Sequence, residues 1–97
     1  MLVVTGTVTA RPETFEALLE AALAHVARSR LEPGCRLHSV HVDAENPLRL
    51  FFYEEWADRQ SLDVHFEQPG SQELMVAVRE LSVSSTRIRI LPVADKA

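Results

Sequence analysis

Leu48-Arg49-Leu50-Phe51-Phe52-Tyr53-Glu54-Glu55-Trp56 is the stretch whose reading decides the fold. Its aromatic and branched residues suit a pleated strand. Side chains on a strand alternate, so Leu50, Phe52, Glu54 and Trp56 share one face while Phe51 and Tyr53 share the other. A layer of helices covers one face of a sheet only. The second face leaves Phe51 and Tyr53 in water unless another sheet packs on it. Scattered exposed aromatics are the alternative, since folded proteins tolerate them. The pattern favours a partner sheet.

On the N-terminal side, Ala44-Glu45-Asn46-Pro47 has the length of a hairpin connection to a second strand from Cys35 to Asp43. Pro33-Gly34 precedes that strand and ends a helix near Leu31. Phe15, Leu18, Leu19, Ala22, Leu23 and Val26 repeat at helical spacing and make that helix's apolar face. Glu16, Glu20 and Arg28 fall on its solvent side, and Pro12 suits its first turn. The Val- and Thr-rich run from Leu2 to Thr9 reads as the first strand.

On the C-terminal side, Asp58 is positioned to cap a short helix whose inward residues are Leu62, His65 and Phe66. Pro69-Gly70 interrupts it. Ser71 is then placed to cap a second piece that carries Leu74, Met75 and Val78. The last strand is expected from Leu81 to Leu91, with Pro92 ending it. The order β-α-β-β-α-β is the ferredoxin-like split βαβ pattern. It predicts an α+β fold with a four-stranded antiparallel sheet and the helices on one face.

With 97 residues the chain has room for one domain, spanning residues 1–97. A chain of this size buries proportionally little surface, so a core shared with a second copy would help it. The composition, 46% hydrophobic and 25% charged, is that of a globular protein and excludes a wholly disordered one. A formal net charge of −4, without a basic run, speaks against nucleic acid as a partner. No stretch approaches the roughly 20 apolar residues of a membrane span. Met1 leads directly into a β-type run rather than a signal segment, so a soluble cytoplasmic protein is expected. Cys35 is the single cysteine, which excludes an intrachain disulfide and a cysteine-based zinc site within one subunit.

Two groups of residues carry a family resemblance. Glu32-Pro33-Gly34-Cys35, running into a strand, resembles the "EPGC" turn of the antibiotic-biosynthesis monooxygenase family. Tyr53-Glu54-Glu55-Trp56, followed by Leu62 and His65, resembles that family's "YExW…L…H" signature. The order and spacing of the two are more specific than either alone. The resemblance implies a homodimeric α/β barrel, with two sheets face to face and a ligand cavity between helices and sheet in each subunit. It also implies a reaction class: oxygenation of small aromatic, quinol or polyketide-like compounds by molecular oxygen, without metal, flavin or haem. Relatives that degrade haem, isomerise small compounds or have no assigned reaction share the fold, so the fold alone does not fix the activity.

Oxygenation without a cofactor needs a substrate that supplies the electrons, usually once a phenol or enol has lost its proton. The site must then offer a base or hydrogen-bond donor inside a mostly apolar pocket. An imidazole serves either purpose. His65 is the first candidate, because its spacing from Leu62 turns it toward the sheet and it matches the signature histidine. A buried histidine that only ties the short helix to a carbonyl is the structural alternative. Trp56 is the candidate pocket wall and N–H donor. Leu50, Phe52, Phe66 and His38 are the candidate substrate contacts, with His38 otherwise a partly buried histidine without chemistry.

Glu54 would be costly to bury unpaired, and Arg87 or Arg89 on the last strand is its expected partner. His38 and His41 lie three apart on a strand and point to opposite faces, so no shared metal is expected there, and no cofactor elsewhere. His25, at the margin of the first helix's apolar face, is expected at the surface. Cys35 is expected to pack. Two departures from the family stand out. Where many members carry a second histidine, this chain has Gln68-Pro69-Gly70-Ser71; where the haem-degrading relatives carry an asparagine, it has Thr5-Gly6-Thr7. Haem degradation is thereby disfavoured. A small-ligand-binding barrel without catalysis is the reading from another class, and an isomerase of a small carbonyl compound is the third.

Overall fold

The computed structural model describes residues 1–86 and 88–95. Its elements are β1 (Leu2–Ala10), α1 (Phe15–Ser29), β2 (Cys35–Asp43), β3 (Asn46–Trp56), α2 (Arg59–Glu67), α3 (Pro69–Leu81), β4 (Ser82–Ser85) and β5 (Arg89–Pro92). The sheet is antiparallel in the order β2-β3-β1-β4, and β5 joins the same edge of β1 further along. The β-α-β-β-α-β expectation holds, with one refinement. The expected continuous last strand is two short pieces, pairing Val8 to Ala10 and Leu2 to Thr5 of β1 respectively. Leu81 belongs to α3 rather than to this strand. Thr86 lies between the pieces and keeps the edge tied, its Oγ1 accepting from the Thr7 backbone N–H at 2.9 Å.

The helix ends follow local chemistry. Asp58 caps α2 as expected, accepting from the Ser61 N–H at 2.8 Å. Ser71 is not a cap: α3 already begins at Pro69, and the buried Ser71 hydroxyl donates to the His65 carbonyl at 2.5 Å. Pro12 lies in a turn before α1 rather than within it, because Thr14 is the N-cap residue. The Thr14 hydroxyl donates to the Leu81 carbonyl at 2.6 Å and thereby ties the start of α1 to the end of α3.

The apolar core is divided into two clusters. One holds Val8, Ala10, Leu18, Ala22, Leu50 and Phe52; the other holds Val4, Trp56 and Leu62, with the half-buried Cys35 and Phe66 against it. Along β3 the two meet at Glu54, which sits between Phe52 and Trp56 on the buried face. The β3 alternation is as expected, with Leu50, Phe52, Glu54 and Trp56 all under the helices. Phe51 and Tyr53 lie half-exposed on the opposite face beside Ser39 and His41 of β2.

The buried stripe of α1 differs from the expected one. It consists of Leu18, Ala22, His25, Val26 and Ser29, while Leu23 is 52% exposed. His25 is therefore an interior residue and not the surface one anticipated. Its polarity, and that of Ser29, masks the true centre of the stripe in the sequence. The Ser29 hydroxyl resolves its own burial by donating to the His25 carbonyl at 2.7 Å.

Candidate functional site

The Glu32-Pro33-Gly34-Cys35 turn and the β3–α2 segment form one unit. Gly34 adopts φ +84°, a left-handed conformation that suits glycine, and a Cβ there would overlap the side chain of Ser61. The Gly34 carbonyl accepts from the Ala57 N–H at 2.8 Å, docking the turn on the end of β3. This brings the Glu32 carboxylate to 2.9 Å from His65 Nδ1. A carboxylate only accepts, so Nδ1 carries the proton in this pairing, and whenever the ring is neutral Nε2 holds the lone pair. His65 is 3% exposed and stacks on Trp56 with ring centres 4.6 Å apart.

Glu54 is the second carboxylate of the site. Its Oε1 accepts from Trp56 Nε1 at 2.9 Å, lies 3.3 Å from His38 Nε2, and lies 4.0 Å from His65 Nε2. The expected pairing with Arg89 is not formed: Arg89 stands on β5 opposite Thr5, and Glu54 is surrounded by imidazoles and an indole instead. Arg87, the other expected partner, lies outside the described residues. Burial alone would raise the Glu54 pKa, but His38, the Trp56 N–H and His65 outweigh it and hold the carboxyl below its ordinary value.

His25 and His38 complete the polar layer. The three imidazoles of His25, His38 and His65 come from α1, β2 and α2, and each is buried. Burial, followed by the neighbouring His38 and His65, lowers the His25 pKa to about 4. Among the described residues His38 Nδ1 and His25 Nδ1 have no hydrogen-bond partner, and His38 Nε2 meets only Glu54 Oε1, at 3.3 Å. His41 is exposed on the opposite face of β2, as its spacing from His38 requires. Cys35 packs beside Trp56, and burial, then Glu54 and Glu32, raise its thiol pKa.

A cavity of about 500 Å³ opens between the sheet and α3 and reaches this layer. His25, Glu54, His65, Phe52 and Phe66 are in its wall, with Val4, Val8, Leu74, Met75, Val78 and Ile88 supplying most of its apolar surface. Gly6 contributes room, since its position beside Phe52 on the buried face carries no side chain. Of the residues singled out from the sequence, His65, Phe52 and Phe66 border the cavity. Trp56 and His38 stand behind them, fully buried, and the Trp56 N–H is already committed to Glu54. Leu50 lies in the larger apolar cluster and does not reach the cavity. A more open depression, beside Arg30, Arg36, His38, His41 and Tyr53, takes in the predicted contact His38 but lacks both carboxylates and His65. The chemistry is concentrated in the inner cavity.

Sequence reasoning passed over Glu32 and His25. Glu32 is legible as part of the turn motif, but its reach to His65 depends on the docking of Gly34. His25 has a weaker signal: it stands three and seven residues from Ala22 and Leu18, on the same helical stripe.

The chain matches the family model described as "Antibiotic biosynthesis monooxygenase" over residues 1–77. It is similar to solved structures along almost all of its length. A crystal structure of an antibiotic biosynthesis monooxygenase is 26% identical with a TM-score of 0.88, covering 98% of this chain and 100% of that one. Rv0793 from Mycobacterium tuberculosis is 26% identical with a TM-score of 0.89, covering 99% and 97%. PA3566 from Pseudomonas aeruginosa is 28% identical with a TM-score of 0.86, covering 97% and 94%. A Synechocystis protein described only as uncharacterized is 29% identical over 94 residues; the match takes in 97% of this chain and 64% of that relative's length. With the family match covering most of the chain, and the turn and signature motifs joined in one site, this chain belongs to the antibiotic biosynthesis monooxygenase family.

Proposed function

We propose that this protein is a monooxygenase that oxidises a small aromatic, quinol or polyketide-like substrate with molecular oxygen and no cofactor. One observation carries the reading. His65 is fixed at Nδ1 by Glu32 and stands in the wall of an apolar cavity of about 500 Å³, where its neutral ring offers Nε2 as an acceptor. In this role His65 removes the proton of a phenol or enol, and Phe52 and Phe66 hold the ring system. Trp56 braces the imidazole from behind, while His38 lends polarity to the inner end.

The electrons come from the substrate. For an anthrone-like methylene, R₂CH₂ + O₂ gives R₂C=O + H₂O, so one oxygen atom enters the carbonyl and the other leaves as water. The family membership and the monooxygenase named among the similar structures support this class of reaction. The proposal includes a homodimer, in which the half-exposed face bearing Phe51 and Tyr53 packs against the same face of a second copy.

The test is oxygen uptake by chelator-treated protein with a panel of hydroquinones and anthrone-like phenols. Uptake above the buffer rate that falls by roughly 100-fold in His65→Ala is the expected result for a general base. Undiminished uptake in a folded His65→Ala protein would remove His65 from the mechanism. A ligand-binding role without turnover draws on the same apolar lining, and it predicts substrate-analogue binding with no oxygen consumed.

A further inference from the structure

His25, His38 and His65 are placed on three different elements, yet their ring centres form a near-equilateral triangle with sides of 5.2, 5.1 and 5.5 Å. One nitrogen from each lies within 4.8 Å of the other two. Buried histidines normally spend their ring nitrogens on carbonyls, hydroxyls or carboxylates. In this cluster His38 Nδ1 and His25 Nδ1 are buried without a partner among the described residues, and His38 Nε2 has only a 3.3 Å approach to Glu54 Oε1. The remaining His25 nitrogen has only a 3.5 Å approach from Ser29 Oγ. One ring nitrogen from each of three elements thus faces the same small buried space.

We propose that His25, His38 and His65 form a binding site for one divalent first-row transition ion of the zinc type. The triangle has the right size for it. With a metal–nitrogen bond of about 2.1 Å and tetrahedral angles, the ring centres of three bound imidazoles stand about 5.2 Å apart. The ligating nitrogens then lie about 3.4 Å from one another, so binding draws them together by up to about 1.4 Å, within the range of a ring rotation. An all-imidazole donor set suits zinc, copper, iron or nickel and not calcium or magnesium, which prefer oxygen.

The surroundings fit the same assignment. Glu32 holds the Nδ1–H of His65 at 2.9 Å, the carboxylate–histidine arrangement that fixes a ligating ring and leaves Nε2 for the metal. Glu54 stands beside both His38 and His65, and the two carboxylates balance the charge of a divalent ion. His25 and His65 are both in the cavity wall, so a fourth ligand such as water can reach the ion from that side. Binding the ion occupies His65 Nε2, the same lone pair assigned above to the substrate proton. The loaded protein therefore cannot use His65 as a base, and metal ions should inhibit the cofactor-free oxidation.

The experiment is a titration of chelator-treated protein with Co²⁺ in the absence of any substrate, followed by visible absorption. The expected result is one Co²⁺ per chain with the intense bands of a four-coordinate site, displaced by Zn²⁺. His25→Phe and His38→Phe should each abolish those bands, and Glu32→Gln should weaken binding by about 10- to 100-fold. His41→Ala, on the opposite face of the sheet, should leave binding unchanged. Far-ultraviolet circular dichroism checks that each variant is folded. If a cluster variant fails to fold, Glu32→Gln, which lies outside the cluster, carries the same comparison. Absence of the bands in folded wild-type protein, their survival in the folded cluster variants, or their loss in His41→Ala would each overturn the proposal. Oxygen uptake is read separately on chelator-treated, metal-free protein, so a protein that binds Co²⁺ when titrated but consumes no oxygen when metal-free retires the oxygenase and keeps the metal site.

Discussion

His25 shows how one side chain can make the stability of this protein depend on pH. Its pKa is lowered to about 4 by burial and by His38 and His65, with Arg28 adding to the effect and Glu54 opposing it. In the unfolded chain it returns to about 6.5. The unfolded state therefore binds more protons between these values. Stability is fully present above pH 6.5 and is lost as pH falls toward 4, by on the order of 3 kcal/mol. Urea unfolding of chelator-treated protein at pH 7.5 and pH 4.5 should show this loss, and a folded His25→Phe variant should show less of it. An equal pH dependence in the variant would assign the effect to other groups. None of this is legible in the sequence, where His25 is one polar residue at the edge of an apolar repeat. The cluster is equally hidden, because its members are spaced 13 and 27 residues apart on three elements. His65 was legible, since the signature around it is local and its helical spacing turns it inward.

The element boundaries were easier to read than the element faces. Cys35–Asp43 and the Trp56 end of β3 follow directly from strand-forming residues between Pro33-Gly34 and Asp58. The broken last strand could not be read, because Ser82, Ser84, Ser85 and Thr86 give no alternation to mark where pairing stops. The Glu32-Pro33-Gly34-Cys35 turn joins the two motifs, and Gly34 is its most constrained residue. Gly34→Ala places a Cβ against Ser61 at a φ of +84°. The substitution should cost about 1–3 kcal/mol from backbone conformation alone. Its effect should reach His65 as well, since Glu32 is aimed by the same turn. Thermal unfolding should show a lowered Tm, and oxygen uptake should fall even at temperatures where the variant is folded. A Gly34→Ala protein with wild-type Tm would mean that the turn relaxes without strain.

At the scale of the whole molecule, the sheet has one face under α1, α2 and α3 and one without helices. Register puts Val3, Leu37, Glu55 and Leu91 in one row of that second face, and Thr5, Ser39, Tyr53 and Arg89 in the next. Leu37 is 41% exposed, which leaves apolar area for a second copy to cover. Sedimentation equilibrium should give a particle of twice the 10.9 kDa chain mass. Phe51→Glu should shift it toward that chain mass, because a charge would be buried at a two-fold contact. A wild-type protein that sediments as a single chain at micromolar concentration would refute the dimer. The two-faced character of β3 makes this prediction possible from sequence, whereas the division of the core into two apolar clusters depends on how α1 and α2 dock on the sheet.

That division also bears on how such proteins diverge by descent. The sheet and helices are held together on either side of the Glu54 layer, by Leu18, Ala22, Leu50 and Phe52 in one cluster and by Val4, Trp56 and Leu62 in the other. The residues between them are drawn singly from α1, β2, β3 and α2. Each can be exchanged without replacing a member of either cluster. A lineage with this layout can try new chemistry at the inner end of its cavity without first having to reinvent its scaffold.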